Sequence, residues 1–520
     1  MTYSLKRYAG LLLAIFLLCS SFAGVLAEGY VYTEPAKIVK LARSTPEEKG
    51  ISSQYLYEML NQFDLQGIEM HGIAIAVGGE VIFDAYWAPY DEDTPHIVHS
   101  LTKLFTNAAA VVAISEGYLT LDTRMIDILP EFVSEDGPLE NQDKVTVRNL
   151  LTMTAGYGRM ISGSEWRPLQ TSWLEAFFAE PIPYEPGTHY QYSSGNPYAV
   201  SAMVQRTTGM TAEDYLMKSG FSALNLRNFT WQKSPEGICS GGNGVTCTVE
   251  DMLKVGILFA NEGEWNGTQI LDSELVKLAI GYGGKLTEGQ DTYAFHWTDR
   301  EDGNYTAGGS YGQTVILVPE LDMVISATAG TSGDNYSVFN DYLIAPTKAD
   351  REQGITSYES EDEYSAALER KVKTLSLLDN PVLTASYVGE LVDGKVFEAD
   401  ENKYNIESVS LDVTDDAIVF NMTDNRGTHM IVNGIDRWAE GETTMTGNYM
   451  HHQYQNELEP YCAYAEWKDD TTLSLTWRYP QMAFVDGIEL TFTQDGSEMT
   501  LVRTVNVNSG ELITEPVLLH

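Results

Sequence analysis

The spacing of apolar residues changes near position 380, and this change limits the folds open to the chain. Between about residues 45 and 345, stretches with apolar residues three or four positions apart alternate with short apolar runs, which predicts interleaved helices and strands. Beyond residue 381 apolar and polar residues alternate in short segments, which predicts strands with one buried face. Four such segments are residues 408–413, 417–421, 473–477 and 488–492. We therefore expect a mixed helix-and-strand domain at 28–345 and an all-β domain at 381–520, either a barrel or a sandwich.

Residues 346–380 separate these two regions and differ from both. They are rich in charged side chains and poor in apolar ones. We interpret them as a charged linker with some helix near 366–377. A length of 520 residues fits two or three domains of ordinary size.

The first 27 residues have the pattern of a secretory signal. Lys6 and Arg7 precede an apolar run at 11–18, and Val25 and Ala27 stand at the two positions of a cleavage site before Glu28 where small residues are needed. The apolar run is shorter than the roughly 20 residues of a membrane span, so cleavage is favoured over an uncleaved anchor. We expect a secreted or envelope protein with no stable membrane span after cleavage.

The chain is strongly acidic, which limits the kinds of molecule that it can bind. It has 32 basic and 74 acidic residues, giving a formal net charge of -42. Such a surface repels nucleic acid and anionic lipid, so we expect no nucleic-acid partner. It suits neutral or cationic partners, and we expect a small-molecule or peptide substrate. The alternative is that the charge serves only solubility. No Cys/His cluster has zinc-like spacing, and we expect neither a metal nor a cofactor. Cys239 and Cys247 flank a glycine-rich turn; export permits a disulfide between them, and isolated thiols are the alternative.

Ser100 and Lys103 lie three residues apart at the start of a predicted helix that ends near Gly117. This spacing places both side chains on one helix face, and the helix start offers free N–H groups. Burial among apolar neighbours lowers the proton affinity of a lysine. The pattern therefore predicts a Ser100 nucleophile activated by Lys103. The alternative is a helix-capping serine beside a surface lysine.

Tyr192 follows the turn at Pro186 and Gly187 and begins a Tyr-Ser-Ser sequence. A phenol with the usual pKa of ~10 is a poor base. Beside a lysine ammonium its phenolate becomes more accessible, and it can then relay the serine proton to a leaving group. The alternative is a tyrosine that only packs in a turn.

A glycine-rich segment runs from Gly308 to Gly312 and contains Ser310. Glycines at a strand edge let a substrate backbone approach closely, and the N–H groups of Ser310 and Ser100 are candidates for an oxyanion hole. The segment also matches the G-x-S-x-G elbow of α/β-hydrolases, which would make Ser310 the nucleophile. A strand-like run at 313–318 follows instead of a helix, so this second interpretation is disfavoured.

In this order the three segments resemble the serine β-lactamase and penicillin-binding-protein superfamily. They are most similar to class C β-lactamases and D-alanyl-D-alanine carboxypeptidase-like esterases. Further similar segments are residues 150–156, 184–187, 246–252 and 312–320. The resemblance covers about 45–345 and implies an α/β (α+β) β-lactamase/transpeptidase-like domain, with an antiparallel sheet, flanking helices and a helical lobe.

The resemblance also implies roles for individual residues. Ser100 would be acylated, Lys103 and Tyr192 would transfer protons, and Gly309 and Ser310 would contribute to substrate and oxyanion binding. Ser194 would stand where the family usually has an asparagine.

Two departures from the family pattern bear on the substrate. The amide side chain expected at Ser194 is missing, and Ala307-Gly308-Gly309 brings no cation to bind a substrate carboxylate. These departures weaken the case for β-lactam hydrolysis and for cell-wall carboxypeptidase activity. They fit an esterase, amidase or peptidase acting on neutral or amino-bearing substrates, and a cell-wall-derived substrate is one candidate. A non-catalytic envelope protein that binds such molecules on the same fold is the alternative.

Overall fold

The computed structural model describes residues 39–281, 293–358, 363–378, 383–446, 454, 457–505 and 515–520. The predicted signal segment, residues 1–27, lies outside these ranges. None of the helices within them is both long enough and apolar enough to cross a membrane.

The N-terminal domain is built around one antiparallel sheet. Its strands are β1 (Met70–Val77), β2 (Glu80–Tyr86), β3 (His96–Ile97), β4 (Thr230–Trp231), β5 (Val245–Cys247), β6 (Glu264–Trp265), β7 (Thr268–Gln269), β8 (Tyr293–Ala294), β9 (Trp297–Asp299), β10 (Tyr305–Gly309), β11 (Gln313–Val318) and β12 (Met323–Ala329). Seven of them form the main sheet in the order β2-β1-β12-β11-β10-β9-β8. Strands β3, β5 and β4 form a small separate sheet, and β6 pairs with β7.

The sequence predicts two hairpins, one at the Gly78-Gly79 turn and one at Pro319-Glu320, and the main sheet contains both. Strands β1 and β2 meet across Gly78 and Gly79, whose φ angles of 60° and 76° suit a tight hairpin turn that favours glycine. Strands β11 and β12 meet across a 3-10 turn at Pro319–Leu321.

Helices cover both faces of this sheet, and one further helix, Tyr387–Val392, belongs instead to the core of the C-terminal domain. They are α1 (Ser53–Leu65), α2 (Thr102–Ser115), α3 (Met125–Ile128), α4 (Val147–Leu151), α5 (Gly163–Trp166), α6 (Trp173–Phe178), α7 (Gly195–Thr208), α8 (Ala212–Lys218), α9 (Val249–Ala260), α10 (Ser273–Ile280), α11 (Asn335–Phe339), α12 (Ala345–Glu352), α13 (Glu363–Val372) and, further on, α14 (Tyr387–Val392). Because side chains alternate along a strand, Ile73 and Ile75 of β1 join one core with α1, whereas Ala74 and Ala76 join a second core with α2 and α9.

Helix α2 begins at Thr102, two residues later than predicted, because His99–Leu101 form a 3-10 turn before it. It is buried on nearly all sides, from Thr102 to Ala113, between the sheet and the helices that follow it in the chain. Its position places the predicted nucleophile at the boundary between the sheet and this helical lobe.

The segment interpreted as a charged linker packs partly on the N-terminal domain. Helix α13 occupies Glu363–Val372, slightly earlier than expected. Its Leu368 is buried in the core that contains α1, and Lys371 pairs with Asp64 at 2.6 Å. Val372, at the end of the same helix, is partly buried against this core as well, so a few apolar residues anchor an otherwise charged helix.

The C-terminal domain is an all-β barrel, which is one of the two architectures that the sequence predicted. Its strands are β13 (Val396–Glu398), β14 (Ile406–Val413), β15 (Ala417–Asp424), β16 (Gly427–Ile435), β17 (Ala439–Thr443), β18 (Glu459–Trp467), β19 (Thr472–Arg478), β20 (Val485–Phe492), β21 (Met499–Val505) and β22 (Val517–Leu519). The order is β13-β14-β15-β16-β18-β19-β20-β21-β22, with β17 on β18. The backbones of Glu398 and His520 exchange two hydrogen bonds of 3.0 Å, which joins the first and last strands and closes the barrel.

The barrel packs against the N-terminal domain close to β3. The guanidinium of Arg478 donates two hydrogen bonds to the Glu69 carboxylate, at 2.6 and 3.1 Å. The N–H of Ile97 donates to the carbonyl of Gln481 at 2.7 Å, and Ile97 belongs to the barrel's apolar core. The second of these contacts lies three residues before Ser100 in the chain.

Candidate active site

Ser100 lies in a turn that is held from both sides. The N–H of Val98 donates to the carbonyl of Val245 in β5 at 2.9 Å, and the N–H of Val245 donates to Thr102 Oγ1 at 2.9 Å. His99 has a φ of 47°, in the left-handed region that side chains other than glycine seldom adopt. Ser100 itself is half-buried, so its hydroxyl is fixed in position yet open to a substrate.

Lys103 contacts Ser100 as the spacing predicted. Its Nζ lies 3.1 Å from Ser100 Oγ and donates to the carbonyl of Gly242 at 2.7 Å. The side chain is 1% exposed, and burial lowers its pKa to about 7. A large part of the Lys103 population is therefore neutral near pH 7 and able to accept a proton.

Tyr192 completes a three-residue cluster around the Ser100 hydroxyl. Its OH donates to Ser100 Oγ at 2.8 Å, and its ring centroid lies 4.8 Å from the Lys103 Nζ. Burial of the phenol raises its pKa to about 12. The sequence had led us to expect a lowered pKa and an accessible phenolate for Tyr192, and the shift is in the opposite direction. The reason is that the fold encloses the hydroxyl, and the amine beside it is the group whose proton affinity is lowered.

The loop at Gly241 and Gly242 is a part of the site that the sequence analysis missed. The carbonyl of Gly241 accepts from Thr106 Oγ1 at 2.6 Å, and that of Gly242 accepts from Lys103, so two successive carbonyls contact α2. A Cβ on Gly242 would lie 2.7 Å from the carbonyl oxygen of Ser194. The cluster of three glycines at 241, 242 and 244 was the only available signal of this close packing.

Ser194 lies behind that loop, at the start of α7. It packs against Gly242, and its side chain makes no capping hydrogen bond to the helix. The structure therefore brings Ser194 close to the residues that contact Lys103. The nearby Cys239 and Cys247 are both buried free thiols, which matches the alternative of isolated cysteines.

Gly309 brings the third predicted segment to the nucleophile. A Cβ on Gly309 would lie 2.3 Å from the carbonyl oxygen of Val98 and 3.3 Å from the N of Leu101, so the end of β10 packs directly on the turn that carries Ser100. Ser310 follows in the 3-10 turn Ser310–Gly312 between β10 and β11. A strand rather than a helix follows this turn, and Ser310 therefore does not sit on a nucleophile elbow.

His296 also reaches this segment, and no pattern in the sequence had marked it. It comes from the turn between β8 and β9, has a φ of 77°, and its Nε2 donates to the carbonyl of Gly308 at 2.9 Å. Burial and the nearby charge of Lys103 lower its pKa to about 3. The imidazole is consequently neutral at physiological pH and supplies no fixed positive charge beside Gly308.

The arrangement brings together the parts of an acyl-transfer site. An alcohol contacts an amine of lowered pKa and a phenol that stays protonated, and strand β10 runs past it with its glycines. Within the described ranges, no group of three or more His, Cys, Asp or Glu side chains is placed to hold a metal ion.

Comparison with known proteins places the N-terminal domain in a family. A family model described as Beta-lactamase matches residues 64–347. The 6-aminohexanoate-dimer hydrolase of Paenarthrobacter ureafaciens is 24% identical over 272 residues, which are 48% of this chain and 69% of that protein. The lovastatin esterase of Penicillium rubens is 27% identical over 172 residues, 29% of this chain and 43% of that protein.

A solved structure supports the same fold. A protein from Bacillus anthracis with the provisional name 6-aminohexanoate-dimer hydrolase aligns with a TM-score of 0.50 at 20% identity, over 62% of this chain and 90% of the other. The predicted combination of a β-lactamase/transpeptidase-like domain and a C-terminal β domain is thus confirmed. Because the family model matches more than half of the chain, the protein belongs to the beta-lactamase family of serine hydrolases.

Proposed function

We propose that this protein is an exported hydrolase that cleaves an ester or amide bond through an acyl-enzyme on Ser100. The observation that carries the proposal is the convergence of Lys103 Nζ and Tyr192 OH on one oxygen, at 3.1 and 2.8 Å. A serine that only capped a helix would not hold a buried amine of lowered pKa beside it.

Acylation begins with the neutral amine of Lys103. It accepts the proton of the Ser100 hydroxyl while Oγ forms a bond to the substrate carbonyl carbon. The carbonyl oxygen becomes an oxyanion between the N–H groups of Ser100 and Ser310. Donors of this kind are typically worth ~10²–10³ in rate each.

Tyr192 connects the amine to the leaving group. With a pKa of about 12 the phenol stays protonated, so it acts as a hydrogen donor rather than as the resting base. It passes its proton to the leaving oxygen or nitrogen as the carbonyl–heteroatom bond breaks, and it regains a proton from Lys103. Water then attacks the acyl-enzyme by the same steps in reverse, which frees the acid and restores Ser100.

The substrate class follows from what surrounds the serine. Ser194 replaces a carboxamide, His296 is neutral at physiological pH, and the chain has a formal net charge of -42. These features favour neutral or amino-bearing esters, amides or peptides over substrates held by a free carboxylate. The two relatives are named a 6-aminohexanoate-dimer hydrolase and a lovastatin esterase, and these names are compatible with an ester or amide as the bond cleaved here.

The proposal that the protein is exported rests on the signal-like pattern of residues 1–27. We propose that the exported protein acts in the cell envelope or outside the cell. Wall-derived peptides are candidate substrates there. Expression of the full chain in a bacterial host, followed by N-terminal sequencing of the envelope fraction, tests this part. A mature protein that starts at Glu28 is the expected result, and retention of Met1 in the cytosol contradicts it.

Covalent labelling tests the nucleophile. A fluorophosphonate probe followed by peptide mass spectrometry is expected to modify Ser100, and Ser100→Ala is expected to lose both label and turnover. The matched control is Ser310→Ala, which removes the other candidate hydroxyl and leaves its backbone N–H in place. Label on residue 310 contradicts the assignment. Absence of any adduct with a short-chain ester, a D-amino-acid amide and a cephalosporin favours the non-catalytic binding protein.

A further inference from the structure

The barrel supports both backbone segments that surround the proposed oxyanion. On one side, Ile97 lies in the barrel core three residues before the nucleophile. On the other, Tyr311 follows Ser310 and packs against the same core. The ring of Phe484, from the connection between β19 and β20, stands edge-on to Tyr311 at 5.5 Å and lies 6.1 Å from His99.

Tyr454 adds a contact between the residue before the nucleophile and the helical lobe. It belongs to the C-terminal region, yet it is only 2% exposed. Its OH lies 3.2 Å from Nδ1 of His99, the residue directly before Ser100. The guanidinium carbon of Arg167, just after α5 in the helical lobe, lies 3.8 Å from its ring centroid.

Tyr454 therefore contacts both the residue next to the nucleophile and a residue of the helical lobe. His99 belongs to the 3-10 turn that carries Ser100, and Arg167 follows α5 in the helical lobe. An acyl group that extended from Ser100 towards His99 would meet this enclosed ring, because protein interiors are close-packed.

We propose that the C-terminal barrel forms the end wall of the acyl-binding cleft and that Tyr454 restricts the acyl group to short chains. This inference rests on the proposed function. The acyl side is assigned because Tyr454 and Phe484 contact His99 and Tyr311, the neighbours of the two oxyanion donors. The leaving group is expected on the other side, where Tyr192 delivers its proton.

The test uses the full chain and 4-nitrophenyl esters whose acyl groups increase from two to ten carbons. For the wild type we expect kcat/KM to fall steeply once the acyl group passes a few carbons. Tyr454→Ala is expected to raise the ratio of kcat/KM for the long ester to that for the short ester by about tenfold or more, since one methylene that fits or clashes is worth about 10–200-fold. A purely structural role would lower the rates for all esters together and leave the ratio unchanged.

Three further variants complete the test. Tyr454→Leu preserves apolar packing without the ring and replaces Tyr454→Ala if that variant unfolds. Tyr454→Phe keeps the ring, and we expect the wild-type ratio. Tyr461→Phe is the matched control, since it removes a buried hydroxyl that accepts from the N–H of Val432 at 2.9 Å within the barrel.

Two outcomes overturn the inference. One is a wild-type enzyme equally active on long and short acyl chains. The other is an unchanged ratio in a folded Tyr454→Ala or Tyr454→Leu variant that still hydrolyses the short ester. Failure of the wild type to turn over any ester or to form an adduct at Ser100 is a different result, and it counts against the proposed function.

Discussion

The Nζ atom of Lys103 lies 2.7 Å from the carbonyl oxygen of Gly242 and 3.1 Å from Ser100 Oγ. A neutral amine that donates one hydrogen to the carbonyl is thereby oriented, with its lone pair available to the serine hydroxyl. The Gly242 carbonyl thus fixes the direction in which Lys103 accepts a proton. Its partner on the same loop, the carbonyl of Gly241, holds the loop on α2 through Thr106.

Activity should depend on pH through Lys103. Because burial lowers its pKa to about 7, kcat/KM for a neutral ester is expected to rise as pH increases through about 7 and then level off. Lys103→Arg is expected to be inactive at every pH, since a guanidinium stays protonated. A profile that is flat from pH 6 to pH 8 contradicts the assignment of Lys103 as the base.

Replacing this amine should make the fold more stable. Lys103→Met is expected to abolish turnover and to raise the free energy of unfolding by roughly 1–4 kcal/mol near pH 6, since a buried charge is exchanged for an apolar side chain of similar length. The folded pKa lies below the unfolded value of 10.5, so the unfolded chain binds more protons between about pH 7 and 10.5. Stability of the wild type therefore rises with pH over that window.

Urea unfolding of both proteins at pH 6 and at pH 9 measures this effect. The advantage of the methionine variant should be largest at pH 6 and smaller at pH 9. An equal difference at the two pH values would show that packing, rather than the charge, is responsible.

Tyr192→Phe should slow the chemistry with little effect on folding. The ring keeps its packing, while the proton path to the leaving group is lost, and kcat is expected to fall by about 10²–10⁴-fold. The loss should be greater for an amide than for a nitrophenyl ester, because nitrophenolate leaves without protonation. Equal losses on the two substrates argue against a role for Tyr192 in protonating the leaving group.

A single methyl group at position 309 should disturb the site. In Gly309→Ala the Cβ meets the Val98 carbonyl at 2.3 Å, which pushes β10 away from the turn that carries Ser100. The oxyanion donor of Ser310 moves with it, and we expect a loss in kcat of about 10²-fold or more. Gly308→Ala is the matched control, because its nearest neighbour atom lies 4.0 Å away. Similar losses in the two variants contradict the steric argument.

The salt bridge between Glu69 and Arg478 should hold the domains together. Although burial opposes it, hydrogen bonds from His71 and Arg478 lower the pKa of Glu69 to about 2. The stabilisation is complete above the unfolded pKa near 4.5 and is lost as pH falls towards 2. Glu69→Gln leaves a buried guanidinium without its charge partner and is expected to cost about 3 kcal/mol.

A double-mutant cycle with Arg478→Met checks this coupling. The double variant is expected to be more stable than Glu69→Gln alone, since it removes the stranded cation. Additive losses from the two single changes indicate that the pair contributes no coupling.

Much of this protein could be predicted from local sequence patterns. The two hairpins, the helix after Ser100 and the alternating strands of the barrel each follow from residues near one another in the chain. The Ser100–Lys103 pair is likewise local, because one helical turn brings the two side chains together. The prediction that Tyr192 lies beside them rested on the order of the motifs along the chain, because residue spacing alone could not indicate it.

Other parts of the site depend on contacts distant in sequence. Gly242 reaches Lys103 from 139 residues away and Tyr454 reaches His99 from 355, and no periodicity encodes such pairs. The pKa of Tyr192 was expected to fall and is raised, because burial is set by the whole fold rather than by one neighbour. The barrel and the sandwich alternatives could not be separated, since closure depends on the pairing of Glu398 with His520.

The placement of Ile97 inside the barrel core has a consequence for protein engineering. A designer who exchanges barrels between relatives also exchanges the support under the strand that leads to the nucleophile. Residues 96–99 should therefore be transplanted together with residues 481–484 as a single unit. Mutant libraries aimed at new substrates should likewise include the barrel, since the Tyr454 hydroxyl that contacts His99, the residue before the nucleophile, is encoded 355 positions downstream of His99.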